Sequence, residues 1–182
     1  MKNKVKIPIS KSYRFLNFGP VVLVTSARKG KRNVATIAWS MPISSDPVLV
    51  GIAVYHEHFT ARLISQSGEF AVNIPPAGLK EQVVKCGSVH GFNIDKFEKF
   101  KLTAFPASRI RAPLVGECFG HLECKLAKKI RVGDHWLFIG KVVAAMADKG
   151  ALNSEGVINL KKVKTLQHLG GDDFATLREV LK

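Results

Sequence analysis

The chain has 182 residues, a mass of 20.0 kDa and 46% hydrophobic residues, which suffices for one sizeable core and argues against two independent domains. It contains no apolar run of about 18 residues, and its first segment, MKNKVKIPISKSYRF, lacks the apolar stretch of a secretory signal, so we expect a cytoplasmic protein without a membrane anchor. The 28 Lys and Arg against 14 Asp and Glu leave a formal charge of +14, which favours anionic partners without choosing among them.

Three strands are predicted early in the chain, with no helix between them. Residues 20–26 and 34–41 are short apolar, β-branched runs on either side of a basic turn, a pattern typical of a hairpin. The segment PISSDP at 42–47 predicts a turn before a third strand at 48–54. Consecutive strands without helices indicate an antiparallel sheet rather than a doubly wound parallel one.

The rest of the chain adds a few helices and more strands. Helical spacing predicts helices beginning at Thr60, over 79–86 and over 174–181, with a helical turn at 95–100. Alternation and apolar runs predict strands at 70–74, 118–126 and 135–145, with Gly140 as a bulge or close approach. We therefore predict a mainly β fold, a closed or nearly closed small barrel with a few short helices.

Signals for hydrolytic, nucleotide-cradling or metal chemistry are weak. No GxGxxG, P-loop, GxSxG or HExxH motif is present. His56, His58 and His121 are metal-ligand types, but no third and fourth ligand follow at a recognised spacing, so we predict no metal site. Three cysteines without a CxxC spacing indicate reduced thiols, as in a cytoplasm: Cys86, Cys118 and Cys124.

The second predicted strand carries polar groups within an apolar run. Asn33, Thr36 and Ser40 interrupt it, and Trp39 offers a flat aromatic face. A flavin ring needs backbone hydrogen-bonding groups and an apolar or aromatic wall, both of which this stretch can supply. An ordinary strand with one solvated face shows the same spacing, so the pattern by itself leaves both interpretations open.

The stretch NVATIAWSMPISSDPVLVGIAVYHEHFTARLISQSGEFAVNIP closely resembles the opening half of the FMN-binding split-barrel flavin reductase family, which includes flavoredoxin-like proteins. The resemblance continues through EQVVKCGSVHGFNIDKFEKFKLT, APLVGECFGHLEC and GDHWLFIGKVVAA. It implies a six-stranded antiparallel Greek-key split barrel over residues 18–146. Residues 1–17 are then an N-terminal extension, and 147–182 a C-terminal extension with a terminal helix, packed on the same domain.

The resemblance also implies site residues and a cofactor, FMN, with FAD as an alternative, held near the interface of a homodimer. Residues of the NxxTxAWS stretch are expected beside the flavin: Asn33, Thr36, Ala38, Trp39 and Ser40. Those expected towards the ribityl phosphate are Tyr55, His58, Thr60 and, as a cation on a loop that can cross the dimer, Lys96. His135 resembles the family histidine near the flavin and the nicotinamide.

Many relatives have an arginine near the motif after the third strand, where this chain has His56, Glu57 and His58. If His58 replaces a permanent cation, phosphate affinity should fall as pH rises past the ordinary histidine pKa of about 6.5. FMN affinity measured against pH tests that expectation.

The sequence leaves three functional hypotheses. The leading hypothesis is an NAD(P)H-dependent flavin reductase, in which a hydride passes from nicotinamide to flavin and the protein supplies positioning. The alternative is a flavoredoxin-type electron carrier for acidic protein partners, which the charge of +14 would attract. A nucleic-acid-binding barrel is disfavoured, because aromatic residues are not interleaved with the basic stretches as base stacking would require.

Overall fold

The computed structural model describes residues 4–180. In this range the strands are β1 Gly19–Pro20, β2 Val22–Arg28, β3 Lys31–Ile37, β4 Ser40–Ser45, β5 Val48–Tyr55, β6 Glu69–Ile74, β7 Ala104–Phe105, β8 Leu114–Val115, β9 Gly120–Val132, β10 His135–Ala147, β11 Gln167–Gly170 and β12 Asp173–Ala175. The α-helices are α1 Phe59–Ser67, α2 Lys80–Ser88 and α3 Lys96–Lys99, and 3-10 segments cover Ile9–Leu16 and Ala77–Leu79. None of the described helices is long and apolar enough to span a bilayer.

Seven strands form the main sheet, in the order β3-β2-β6-β9-β10-β5-β4, and every neighbouring pair is antiparallel. Side chains alternate across the strands, so one face collects an apolar core that includes Val24, Ile52, Phe70 and Phe138. Gly140 lies at a register shift between β9 and β10, and a Cβ there would be 2.5 Å from Cζ of Phe70. The predicted mainly β antiparallel fold, with a close approach at Gly140, is confirmed.

The basic hairpin between β2 and β3 is also confirmed. Lys29 and Gly30 connect the two strands with φ values of 48° and 75°. A two-residue turn with both φ values positive matches the right-handed twist of the strands that it joins. The strand that follows is Lys31–Ile37 rather than residues 34–41, so the polar stretch divides between β3 and β4.

The predicted turn at 42–47 is wrong over most of its length, because Ser40–Ser45 form β4, which makes the sheet seven-stranded rather than six-stranded. Proline is tolerated there for a physical reason: β4 is the last strand in the order, so one side of its backbone needs no ladder partner. A register shift follows Pro42 in its pairing with β5, as expected where a donor is missing.

The predicted terminal helix is also wrong. Asp173–Ala175 form β12, which pairs with β11, and residues 176–180 have no regular structure; Leu181 lies outside the described residues. A short segment gains little from helix formation alone. Phe174 instead packs against the core, and its ring centroid lies 5.2 Å from that of His168. Tertiary packing therefore outweighs the local helical pattern.

A small three-stranded sheet beside the main sheet pairs β1, just after the predicted N-terminal extension, with the C-terminal hairpin. β11 lies between β1 and β12, with Gly19 opposite His168, and the N–H of Val21 donates to the carbonyl of Leu166 at 3.2 Å. A second apolar core lies between β2, β3 and the helices α2 and α3, and includes Val34, Val83 and Phe97. This core holds α2 and α3 against β3, where the candidate site forms.

Candidate functional site

A small polar pocket lies where β3 faces the start of α1, the end of α2 and the start of α3. Its volume is about 60 Å³. The residues that matter for its chemistry are Asn33, His58, Thr60, His90, Gly91 and Lys96. They come from positions up to 63 residues apart in the chain, and the second apolar core brings their elements together. The pocket has the scale of one phosphate group or of a few hydroxyl groups.

Asn33 places an unused hydrogen-bond acceptor in this pocket. Its Nδ2 donates to Oγ1 of Thr60 at 2.8 Å, whereas its Oδ1 is buried and has no donor among the described residues. A Cβ added at Gly91 would lie 2.1 Å from that oxygen, so only glycine allows the loop this close. A buried acceptor without a donor costs stability. A ligand hydroxyl or N–H group would remove that cost.

Lys96 places a buried cation beside the acceptor. Its side chain is 3% exposed, and Nζ donates to the carbonyl of Cys86 at 2.6 Å. Over residues 4–180 no carboxylate forms a salt bridge with it. Burial lowers the pKa of Lys96 and raises that of the Cys86 thiol to about 11, so the thiol stays neutral and does not balance the lysine. The negative charge of an anionic ligand group would balance the lysine.

The position of Lys96 is set by its neighbour Asp95. The Asp95 carboxylate accepts from the N–H of Phe97 at 2.9 Å and thereby caps α3. It also accepts from Nε of Arg32 at 2.7 Å, which ties α3 to β3. These contacts of Asp95 therefore hold Lys96 in the polar pocket of its own chain.

His58 lies at the N-cap position of α1, between the polar pocket and a group of aromatic rings. Its ring centroid is 5.6 Å from that of His90 and 5.4 Å from that of Tyr55. Burial lowers the pKa of His58, and electrostatic interactions with His90, Lys96 and His135 lower it further. The ligand-free protein therefore disfavours the charged imidazole, and a bound anion would favour it.

Trp39, Tyr55 and His135 form the aromatic group. The Trp39 and His135 ring centroids are 4.8 Å apart, and those of Tyr55 and His135 are 5.8 Å apart, because His135 opens β10 directly opposite Tyr55 at the end of β5. Nδ1 of His135 donates to the Asp134 carboxylate at 2.6 Å, which leaves Nε2 for a ligand. This hydrogen bond lowers the pKa of Asp134.

The remaining predicted site residues are spread around these groups. Thr36 lines the polar pocket, and its hydroxyl donates to the carbonyl of Val83. Ala38 is half-buried and does not line the polar pocket. Ser40 borders a different cavity of about 550 Å³, whose lining, which includes Met41 and Met146, is almost entirely apolar.

The structure thus unites Asn33, Thr36, His58, Thr60 and Lys96 in the polar pocket and joins Trp39, Tyr55 and His135 beside it. Sequence reasoning missed His90, Gly91 and Asp134. His90 and Gly91 fall in a loop-rich stretch whose only local signal is a glycine. Asp134 precedes His135 in the resembling segment GDHW but carried no assigned role.

Comparison with known proteins agrees with this architecture. The family model described as "Flavin reductase like domain" matches residues 16–166. A ferric-chelate reductase (NAD(P)H) of Archaeoglobus fulgidus is 27% identical over 146 residues, which cover 79% of this chain and 85% of that protein.

Two solved structures are similar over nearly the whole chain. A flavoredoxin from Methanosarcina acetivorans has a TM-score of 0.87 at 26% identity, with 99% of this chain and 94% of that one covered. Component B of the nitrilotriacetate monooxygenase from Bacillus cereus has a TM-score of 0.89 at 25% identity, with both chains covered completely. These likenesses confirm the predicted fold class.

Proposed function

The chain belongs to the flavin reductase like domain family, and we propose that it binds FMN, with the phosphate in the polar pocket and the ring against Trp39, Tyr55 and His135. The observation that carries the proposal is the buried Lys96 ammonium, which has no carboxylate partner among the described residues. A buried cation of this kind is stable only with a compensating anion or as the neutral amine.

The residues present fit the parts of FMN. A phosphate monoester carries nearly two negative charges near neutral pH and needs donors, which Lys96, His58 and His90 supply. The backbone N–H groups at the start of α1, around Thr60, add donors and a favourable dipole. The lone acceptor on Asn33 suits a ribityl hydroxyl, which must donate to something when buried.

The proposed reaction is hydride transfer from NAD(P)H. Bound FMN would supply the ring that accepts the hydride, so the chain needs no acid or base for that step. Trp39 is 42% exposed and offers an aromatic wall. Asp134 holds the His135 ring through Nδ1, so Nε2 is available to orient an amide such as that of nicotinamide. The name of the related ferric-chelate reductase (NAD(P)H) supports this donor.

Substitution of Lys96 tests the phosphate assignment. Lys96→Met keeps an unbranched side chain one atom shorter and removes the charge, and we expect FMN affinity to fall by roughly 10- to 100-fold, the usual worth of a charged hydrogen bond. Riboflavin, which lacks the phosphate, should bind both proteins within about twofold, since Lys96 would not contact it. Flavin fluorescence titration measures both affinities.

The matched control is Lys99→Met, which removes the same charge from an exposed position on the same short helix. It should change neither affinity. Equal losses for FMN and riboflavin in Lys96→Met would overturn the phosphate assignment, as would an unchanged FMN affinity. A preparation that binds neither flavin overturns the proposed function.

A second candidate function is an electron carrier of the flavoredoxin type. The similarity to a flavoredoxin favours it, as does the charge of +14, which would attract acidic protein partners. Stopped-flow bleaching of bound flavin by NADH or NADPH supports the reductase. A flavin that stays oxidised with both nucleotides and is reduced by a protein donor supports the carrier.

We also propose a homodimer, as the family resemblance implies, in a cytoplasmic protein. The edge strand β4 and its neighbour β5 expose Met41, Ile43 and Val48, an unusual amount of apolar surface for a strand edge in water. Light scattering should give twice 20.0 kDa, and a concentration-independent monomer would contradict the dimer. The three cysteines are free and buried, in keeping with a reducing compartment.

A further inference from the structure

The indole N–H of Trp39 is held by a residue from outside the barrel strands. Trp39 lies in the link between β3 and β4, where its side chain is 42% exposed. Its Nε1 donates to Oδ1 of Asn17 at 2.8 Å. Asn17 follows the first 3-10 segment and is only 7% exposed although that segment buries no residue of its own. A buried asparagine beside an exposed segment needs an explanation.

Asn17 also reaches the C-terminal hairpin. Its Nδ2 lies 3.0 Å from Nδ1 of His168, and Nε2 of His168 lies 2.9 Å from the carbonyl oxygen of Gly171. The opposition of Gly19 and His168 in β1 and β11 holds the histidine in place. Asn17 therefore links the N-terminal segment, the C-terminal hairpin and the link that carries Trp39.

Hydrogen-bond chemistry determines the direction of this chain of contacts. An indole N–H can only donate and a carbonyl can only accept. Asn17 must therefore present its oxygen to Trp39 and its amide hydrogens to His168. Nδ1 of His168 must accept, so the proton sits on Nε2, which donates to Gly171. In this one arrangement every hydrogen-bonding group from the Trp39 indole through Asn17 and His168 to the Gly171 carbonyl has a partner.

The chain of hydrogen bonds decides how the Trp39 ring faces the candidate site. The ring meets Tyr13 edge-on, with centroids 5.6 Å apart. Its centroid lies 4.8 Å from that of His135, with the planes tilted by 34°. An exposed indole in a link would otherwise sample several rotamers. The bond to Asn17 removes that freedom.

We propose that Asn17 and His168 are positioning residues, which hold the Trp39 indole against His135 and thereby shape the ring side of the flavin site. The two terminal segments that flank the barrel then serve the site rather than only covering the core. The effect on flavin binding rests on the proposed function. The placement of the Trp39 indole by Asn17 is independent of that function.

Indole N–H signals in the NMR spectrum of the flavin-free protein test the placement. The chain has two tryptophans, Trp39 and Trp136, and Trp39→Phe assigns their signals. Asn17→Ala should shift the Trp39 signal and speed its exchange with water about tenfold, with Trp136 unchanged. Asn17→Asp keeps an acceptor for the indole, and its carboxylate can accept from Nδ1 of His168 when that nitrogen carries a proton, so this variant should restore the slow exchange.

The control is Asn153→Ala, which removes an amide that accepts from the N–H groups of Glu155 and Val157, in a loop without contact to Trp39. It should leave both indole signals in place. A Trp39 signal that does not move in Asn17→Ala overturns the proposal, as does a signal that moves equally in Asn153→Ala.

Flavin titration tests the consequence for the site. Asn17→Ala should weaken FMN and riboflavin equally, by about fivefold, because the ring wall is disturbed and the phosphate contacts are not; Asn17→Asp should recover to within about twofold. Unchanged affinities despite a moved indole signal would overturn the role in the site. Failure of the wild-type protein to bind either flavin would instead reject the proposed function, and the indole signals would still decide the positioning.

Discussion

Two buried asparagines, one in the barrel and one in the polar pocket, differ in whether their hydrogen-bonding groups have partners. Asn73, on β6, is fully buried: Nδ2 donates to the Leu23 carbonyl, and Oδ1 accepts from the Val115 N–H and from Nδ1 of His121. Asn33, on β3, is 2% exposed and uses only its Nδ2. The two residues have the same chemistry and almost the same burial, yet one is saturated and the other is not.

This difference in hydrogen bonding distinguishes a residue that stabilises the fold from one that is available to a ligand. The Asn73 amide joins β2, the Val115 end of β8 and β9, so its bonds form part of the cooperative fold. The Asn33 oxygen forms no such bond and faces the pocket loop at Gly91. A fold gains nothing from a buried acceptor without a donor. Its presence next to a buried lysine supports the proposal that this pocket binds a ligand.

The largest effect is expected at Asn73. Asn73→Leu removes the partner of four groups, Oγ1 of Thr25 at 3.4 Å being the fourth. Each buried group left without a partner costs about 1–3 kcal/mol, so the free energy of unfolding should fall by at least about 3 kcal/mol. Urea unfolding followed by circular dichroism measures it. Asn73→Asp keeps the acceptor oxygens but loses the donor to the Leu23 carbonyl and buries a carboxylate, so it should also lower the free energy of unfolding. A loss below about 1 kcal/mol in Asn73→Leu would erase the contrast between the two asparagines.

The matched change in the pocket should have the opposite profile. Asn33→Leu removes an unsatisfied acceptor and one hydrogen bond to Thr60, so the free energy of unfolding should stay within about 1 kcal/mol of wild type. FMN and riboflavin affinity should both fall by about tenfold, because the ribityl hydroxyl loses its acceptor. Loss of stability without loss of flavin affinity would show that Asn33 serves the fold.

The smallest effect concerns the charge of His58 and sharpens the same contrast. Its lowered pKa in the ligand-free protein means that protonation below about pH 6.5, the ordinary histidine value, opposes folding and that stability from this residue is lost as pH falls. A bound phosphate reverses the preference. FMN affinity should therefore rise as pH falls, and because the pKa of His58 is lowered in the ligand-free protein, the rise should continue below about pH 6.5, the ordinary value on which the sequence-based expectation rests.

The phosphate of FMN titrates in the same range, so the comparison with His58→Gln isolates the histidine. The ratio of wild-type to variant affinity should increase by about threefold between pH 7.5 and 5.5 in fluorescence titrations. Riboflavin should show no such change. An equal pH dependence of FMN binding in the two proteins would exclude His58 as a phosphate ligand.

Local patterns in the sequence account for much of the fold and part of the site. Alternation and turn residues predicted the hairpin at Lys29 and Gly30, strands at 118–126 and 135–145 that overlap β9 and β10, and the short helix after Asp95, because each depends on neighbours within a few positions. β9 continues to Val132, six residues beyond the predicted end. The family resemblance added candidate residues, and Asn33, Thr60 and Lys96 do share one pocket.

Only the tertiary structure decided the rest. An edge strand replaced the expected turn at 42–47, and a strand replaced the terminal helix, because strand pairing and core packing outweigh weak local preferences. The unpartnered oxygen of Asn33 depends on Gly91, and the orientation of Trp39 on Asn17 and His168. Contacts over 22 to 151 positions leave no periodic trace in a sequence, so composition and spacing determined the barrel, and the packed chain determined the site.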